Sequence, residues 1–231
     1  MKQVLMLHGW GFPATVFSPL KDLLAAEFDV SAPDRPGYAG NTVITDSYDI
    51  TCLDSPALLI GWSLGGLAAL QLALRQPEKV TGLVLFATTP CFVNRPDWTL
   101  GMDSAVFDAF RKQVNADPAI SMQQFVRLNA GRRPDRQSKK VLSDLSSKAS
   151  AQALQQGMSE LAEIDLRDAV TEIDLPVLLL HAADDRVVPA AASCWLQENI
   201  PNAKHLEFQS GGHAFFLQHT EAVAEQIRAV A

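Results

Sequence analysis

The sequence predicts an α/β fold, a mostly parallel doubly wound sheet carrying a helical lid insertion, and three observations lead there. Short apolar runs alternate with longer segments of helical period along most of the chain. Within those runs apolarity is continuous rather than alternating, as strands covered on both faces require. The alternation breaks once, from about 91 to 165, where helical stretches follow one another without a convincing strand.

Taken in order, "VLML" (4–7) is the first expected strand, and it runs into the glycine-bearing loop His8-Gly9-Trp10-Gly11. A helix over 15–26 leads to a second strand, "FDVSAP" (28–33). The segment "NTVITDSYDITCLDSP" (41–56) is rich in β-branched residues and a weak helix former, so any helix there is reduced. "ALLI" (57–60) is the third strand, followed by a helix over 64–75, and "TGLVLFAT" (81–88) is the fourth. Within the insertion, "DSAVFDAFRKQV" and "SMQQFVRLNA" have helical spacing. The pattern resumes with a strand "VLLLHA" (177–182), a helix over 190–198, a strand "KHLEF" (204–208) and a last helix over 218–230. The core is thus expected over 1–90 and 166–231 and the lid over 91–165.

Composition narrows the class. A chain of 231 residues that is 48% hydrophobic suits one core with room for an insertion. The net charge of -7 argues against a general nucleic-acid binder. Cys52, Cys91 and Cys194 are odd in number, widely spaced and free of any CxxC pair, so they read as reduced thiols. The apolar run near the N-terminus is cut off by His8-Gly9, too short for a signal segment or a membrane span. A cytoplasmic, monomeric protein without a membrane or nucleic-acid partner is expected.

The chemistry starts at "GWSLGG" (61–66). Gly61-Trp62-Ser63-Leu64-Gly65 matches G-x-S-x-G between a strand and a helix, the context that motif demands. A sharp turn there leaves no room for side chains two residues either side of the serine, and it exposes the hydroxyl at the C-terminal edge of the sheet, where open α/β sheets bind ligands. Serine needs a base and a group to orient that base. His213, in "SGGHAFF" between the last strand and last helix, returns to the same edge. His8 reads as a loop-shaping residue, His181 as a core residue, and His205 and His219 as surface positions. Asp184 and Asp185 follow "VLLLHA" together; Asp185 is favoured, and substitution of Asp184 by Asn is expected to be mild. The chain order of serine, acid and histidine is that of the α/β-hydrolase fold. Backbone N–H groups of Leu64 and Trp10 are the candidate oxyanion donors. Trp62, Phe92, Phe107, Phe110 and Phe125 are candidates for an apolar acyl channel.

These motifs carry a resemblance. "LMLHGWG" (5–11), "DRPGYAG" (34–40), "GWSLGG", "DRVVP" (185–189) and "GHAFF" (212–216) resemble α/β-hydrolases over nearly the whole chain. Trp10, Trp62, "TTPCF" (88–92), Trp98 and "QFVRLNAG" (124–131) make it look most like the pimeloyl-[acyl-carrier protein] methyl ester esterase family of biotin synthesis. That resemblance implies a serine carboxylesterase without metal or organic cofactor, with Ser63, Asp185 and His213 catalytic and Trp10 and Leu64 at the oxyanion. It places Phe125, Val126, Arg127, Leu128 and Asn129, with Trp10, Ser63, Leu64 and His213, around the acyl substrate, and it implies acyl-carrier protein as a partner.

Charge bears on the partner independently. From 111 to 140 eight basic residues stand against two acids, leaving -13 for the rest of the chain. A basic lid on an acidic body suits an acidic carrier, with Arg127, Arg132, Arg133, Arg136 and Lys140 as its candidate face. Gln124 and Ile120 depart from the family, whose members place arginines there. The alternatives are a broad carboxylesterase, lactonase or carbon-carbon hydrolase using the same residues, or a non-catalytic binding module on the same fold.

Overall fold

A computed structural model of the chain describes residues 1–41 and 55–231. The weak helix former expected over 41–56 therefore falls, but for its ends, outside the described residues, as does Cys52. Among the described residues six strands form one sheet: β1 (Lys2–Leu7), β2 (Phe28–Ser31), β3 (Ala57–Trp62), β4 (Val80–Phe86), β5 (Val177–Ala182) and β6 (Ala203–Phe208). Their order is β2-β1-β3-β4-β5-β6 and every pairing is parallel. All six coincide with the expected apolar runs to within a few residues.

Continuous apolarity resolves into two cores. Val4, Met6, Leu58, Ile60, Val84, Phe86, Leu178 and Leu180 point to one face, while Leu5, Leu7, Leu59, Leu83, Leu85 and Leu179 point to the other. The period of two along each strand sends successive side chains to opposite faces, so both faces must be covered. Helices α1 (Ser18–Leu24) and α8 (Thr220–Val230) cover the first face through Leu20, Leu24, Val223 and Ile227. Helices α2 (Leu64–Arg75) and α7 (Ala191–Asn199) cover the second through Leu70, Leu72 and Leu196. The helix expected over 15–26 divides instead into a 3₁₀ turn, Ala14–Phe17, and α1, because Pro19 near the start of α1 has no N–H to continue the preceding turn.

Four helices lie between β4 and β5: α3 (Ser104–Ala116), α4 (Pro118–Asn129), α5 (Arg136–Leu145) and α6 (Ala151–Glu163). Each begins on a short polar side chain that accepts backbone N–H bonds: Asp103, Asp117, Asp135 and Ser150. Such a cap is worth about 1 kcal/mol, which matters for helices this short. The two ends of the insertion meet. Cys91 pairs with Asp165 in an isolated antiparallel bridge, and Leu166 N donates to Pro90 O at 2.9 Å. Asp165 also takes Arg95 at 3.2 Å and Arg167 at 2.8 Å. Farther up, Arg35 is paired with Glu160 of α6, and the 37–39 turn exchanges backbone bonds with residues 148 and 150. Among the described residues no helix is long and apolar enough to cross a membrane.

Candidate active site

Ser63 stands between β3 and α2 with φ of 55° and ψ of -118°. This left-handed backbone is costly for a residue with a Cβ, and it is held by four bonds. Ser63 N donates to Phe86 O, while Ser63 O accepts from Gly66 N, Leu67 N and the Thr88 hydroxyl. The flanking glycines are steric necessities. A Cβ on Gly61 would stand 2.6 Å from Gly65 O, and one on Gly65 would stand 2.0 Å from Leu7 O. The His8–Gly11 loop closes over the serine: a Cβ on Gly9 would be 3.2 Å from Ser63 Cβ. Leu64 is the first residue of α2, so its N–H is one of those the helix leaves unused.

His213 lies in a 3₁₀ segment, Gly212–Leu217, just after β6. Its Nδ1 is 2.7 Å from Asp185 Oδ2, and its carbonyl accepts from the indole N–H of Trp62, the neighbour of Ser63. A carboxylate only accepts, so Nδ1 carries the hydrogen and Nε2 keeps a lone pair. That Nε2 is buried and has no hydrogen-bond partner, so no bond to Ser63 is formed in this arrangement. Catalytic hydrogen bonds are often long before substrate binds.

Asp185 is saturated with donors. Oδ1 accepts from Val187 N and Val188 N at 2.7 and 3.1 Å, and Oδ2 accepts from His213 and from His181 Nε2 at 3.0 Å. Burial alone would raise its carboxyl, but the His213 charge and the bonds from both histidines overcome this and hold it well below the usual carboxylate range. His181 is buried as its strand position implies, yet it also touches the acid. Its Nε2 faces Asp185 and Val188 O, both acceptors, while Nδ1 meets the Ser193 hydroxyl at 2.7 Å. An unbroken apolar strand signal concealed this role.

His8 shapes its loop: Nε2 accepts from Arg35 N, leaving Nδ1 to donate to Gly9 O. Burial holds it down to about 3, so it stays neutral. His205 and His219, expected at the surface, are both half-buried; His219 Nε2 binds Ser210 O in the loop that approaches His213. Cys91 is a buried free thiol and Cys194 an exposed one.

Against Ser63 lies a cavity of about 80 Å³. Its wall, the serine apart, is apolar, with Trp10 from the loop, Phe92, Phe107 and Phe110 from the near side of the lid, and Phe125 and Leu128 from α4. Trp62 is not part of it: that side chain is fully buried in the core beneath, packed on Phe12 and Phe216. Trp10 is fixed by its indole bond to Leu154 O and by edge contacts with Phe110 and Phe125. Of the five residues from 125 to 129, Phe125 and Leu128 line the cavity. Val126 is buried, Arg127 is exposed, and Asn129 is buried with its amide donating to Phe125 O. Arg132, Arg133, Arg136 and Lys140 are all exposed, the last paired with Asp144 on its own helix.

A strained serine, an imidazole with a free lone pair and a buried carboxylate are the parts of acyl transfer to water. Comparison with known proteins agrees with that chemistry. A model described as "Alpha/beta hydrolase family" matches residues 4–226. The chain is 36% identical to the pimeloyl-[acyl-carrier protein] methyl ester esterase of Aromatoleum aromaticum, with 98% of this chain and 97% of that protein covered. With the protein of the same description from Nitrosomonas europaea it shares 34% identity over 94% and 91%. Among solved structures, an esterase from Exiguobacterium antarcticum superposes with a TM-score of 0.91 at 26% identity, covering 99% of this chain and 91% of that one.

Proposed function

Since the chain belongs to the alpha/beta hydrolase family, and is an esterase of that family, we propose that it hydrolyses the methyl ester of a pimeloyl chain borne by acyl-carrier protein, the step that completes the acyl chain for biotin synthesis. The observation that carries this reading is the apolar cavity lined by Ser63. Such a cavity favours an unbranched acyl chain over a polar or bulky one. The near-full-length similarity to the curated esterases, at 31–36% identity, supports it, as does the basic lid.

The geometry supports the following roles. His213 Nε2 takes the Ser63 proton as the hydroxyl attacks the ester carbonyl, and the N–H groups of Trp10 and Leu64 receive the oxyanion. Asp185 keeps the imidazole in the tautomer that leaves the Nε2 lone pair free and stabilises the imidazolium that forms. The C–O bond to the methoxy group breaks, and methanol leaves with the proton from His213. Water then gives a proton to His213 and attacks the acyl-enzyme, and the returning proton restores Ser63 as the free carboxylate departs.

Incubating the protein with pimeloyl-carrier methyl ester, with Ser63→Ala as control, tests the reading directly. Serine-dependent release of methanol is expected, together with growth of a biotin-requiring strain that lacks its own esterase. Hydrolysis of p-nitrophenyl esters without either result would reduce the function to a general carboxylesterase.

A further inference from the structure

Asp184 stands beside the acid and, on sequence alone, has no function once Asp185 is chosen. Its carboxylate nevertheless joins two distant segments. Oδ1 accepts from Gly212 N at 2.8 Å, and Oδ2 accepts from Arg132 N at 3.2 Å. Gly212 immediately precedes His213, whereas Gly131 and Arg132 form the lid turn that ends α4. The two segments pack backbone against backbone. A Cβ on Gly212 would lie 2.3 Å from Gly131 N and 2.7 Å from Asn129 O, and one on Gly131 would lie 2.7 Å from Gly212 N.

We propose that Asp184 is a positioning residue for His213, clamping the histidine's loop to the lid turn so that the two move as one unit. The physical need is clear from the loop itself. Gly211 and Gly212 have φ of 119° and 65°, and two such residues in succession give the segment before His213 many accessible conformations unless something outside it fixes the chain. Asp184 supplies that restraint from the rigid end of β5, three residues from His181. The other end of the clamp is α4, which contributes Phe125 and Leu128 to the cavity wall. Displacement of that wall by an acyl chain is therefore felt at the loop that aims the imidazole. This role rests on the reading of His213 as the proton carrier.

The test compares Asp184→Ala, Asp184→Asn and Gly131→Ala with the parent protein and Ser63→Ala, using p-nitrophenyl butyrate and amide hydrogen exchange. Misplacing a catalytic group by about an ångström can cost about 100-fold, so Asp184→Ala should lose about 10- to 100-fold in kcat with KM within about threefold. Asp184→Asn should fall between, because its amide oxygen still accepts from Gly212 N. Exchange in 130–133 and 210–214 should rise together in Asp184→Ala. Gly131→Ala, which leaves the carboxylate intact but pushes the turns apart, should raise exchange in 210–214 as well. An unchanged kcat with both segments loosened would make Asp184 merely structural and overturn the proposal, as would loosening of one segment without the other. Absence of Ser63-dependent hydrolysis by the parent would instead overturn the esterase reading, and the exchange data would still decide whether the two segments are coupled.

Discussion

His213 Nδ1 and Asp185 Oδ2 stand 2.7 Å apart with both side chains sealed from solvent. The opposite carboxylate oxygen is pinned by two backbone N–H groups, so the acid has no freedom to rotate. Asp185→Asn must turn an amide N–H₂ toward one of these donor pairs. We expect kcat to fall by about 10⁴ with little change in KM, because the wrong imidazole tautomer is then favoured. Steady-state kinetics on a p-nitrophenyl ester, with circular dichroism to verify folding, checks this. Full activity in the variant would remove Asp185 from the mechanism.

Acid sensitivity has a separate source in His8. Burial is the main cause of its depression to about 3 from 6.5; the Gly9 carbonyl opposes it and the Arg35 charge adds to it. Between those values the unfolded chain binds a proton that the folded chain refuses. Stability present above pH 6.5 is therefore lost as the pH falls toward 3, with a slope of up to about 1.4 kcal/mol per pH unit from this group. Asp185, also depressed, works in the same direction but only in stronger acid. Urea midpoints measured from pH 7 to 4 should fall for the parent and fall less steeply for His8→Gln, whose amide oxygen can still accept from Arg35 N.

Chain-length preference should respond to the α4 wall. Leu128→Trp adds an indole to the cavity wall, so turnover of p-nitrophenyl octanoate should drop at least about tenfold while the acetate stays within about threefold. Equal losses on both esters would mean that the acyl chain lies elsewhere.

The elbow at Ser63, the sharp turn between β3 and α2, stores strain. Ser63→Gly removes the Cβ from a backbone at φ 55° and should raise stability by about 1 kcal/mol, seen as a higher Tm, while abolishing turnover. Gly65→Ala is its opposite. With Leu7 O only 2.0 Å from the added carbon, the end of β1 must shift, and a loss of about 3 kcal/mol or more is expected. A neutral Gly65→Ala would show that the elbow is looser than its packing implies.

The proposed recognition of a carrier can be separated from chemistry by charge reversal. Arg133→Glu with Arg136→Glu should raise KM for a carrier-bound ester about tenfold at low salt and leave p-nitrophenyl ester hydrolysis unchanged, with the difference shrinking as salt is added. An unaltered KM would remove this basic face from the proposal.

Much of the fold was legible because its signals are local. Leu5 and Leu59 sit inside unbroken apolar runs too short for a helix and set between segments of helical period, a combination that points to strands buried on both faces. Within the insertion the helical spacing of "DSAVFDAFRKQV" and "SMQQFVRLNA" announces α3 and α4, while α5 and α6 had no such reading. The elbow was equally open to reading, since Gly61, Ser63 and Gly65 meet a steric demand at fixed spacing. What escaped depends on contacts across the chain. Trp62 carries the same aromatic signal as Phe92, and only its place beneath the elbow sends it to the core rather than the cavity. His181 reads as strand because its neighbours are apolar, although its ring reaches the acid four residues later. Asp184 binds backbone N–H groups, which leave no trace in side-chain pattern, so its two partners could not be found from composition or spacing.

The insertion departs from the core and rejoins it at nearly the same point, with Pro90 bonded to Leu166 and Cys91 beside Asp165. A segment that enters and leaves through one doorway behaves as a cassette: its length and sequence can be replaced while β4 and β5 keep their register. Grafting the corresponding stretch of another hydrolase between these two points would change what the enzyme admits, and would leave its chemistry in place only where the graft keeps a turn bonded to Asp184 as Arg132 is.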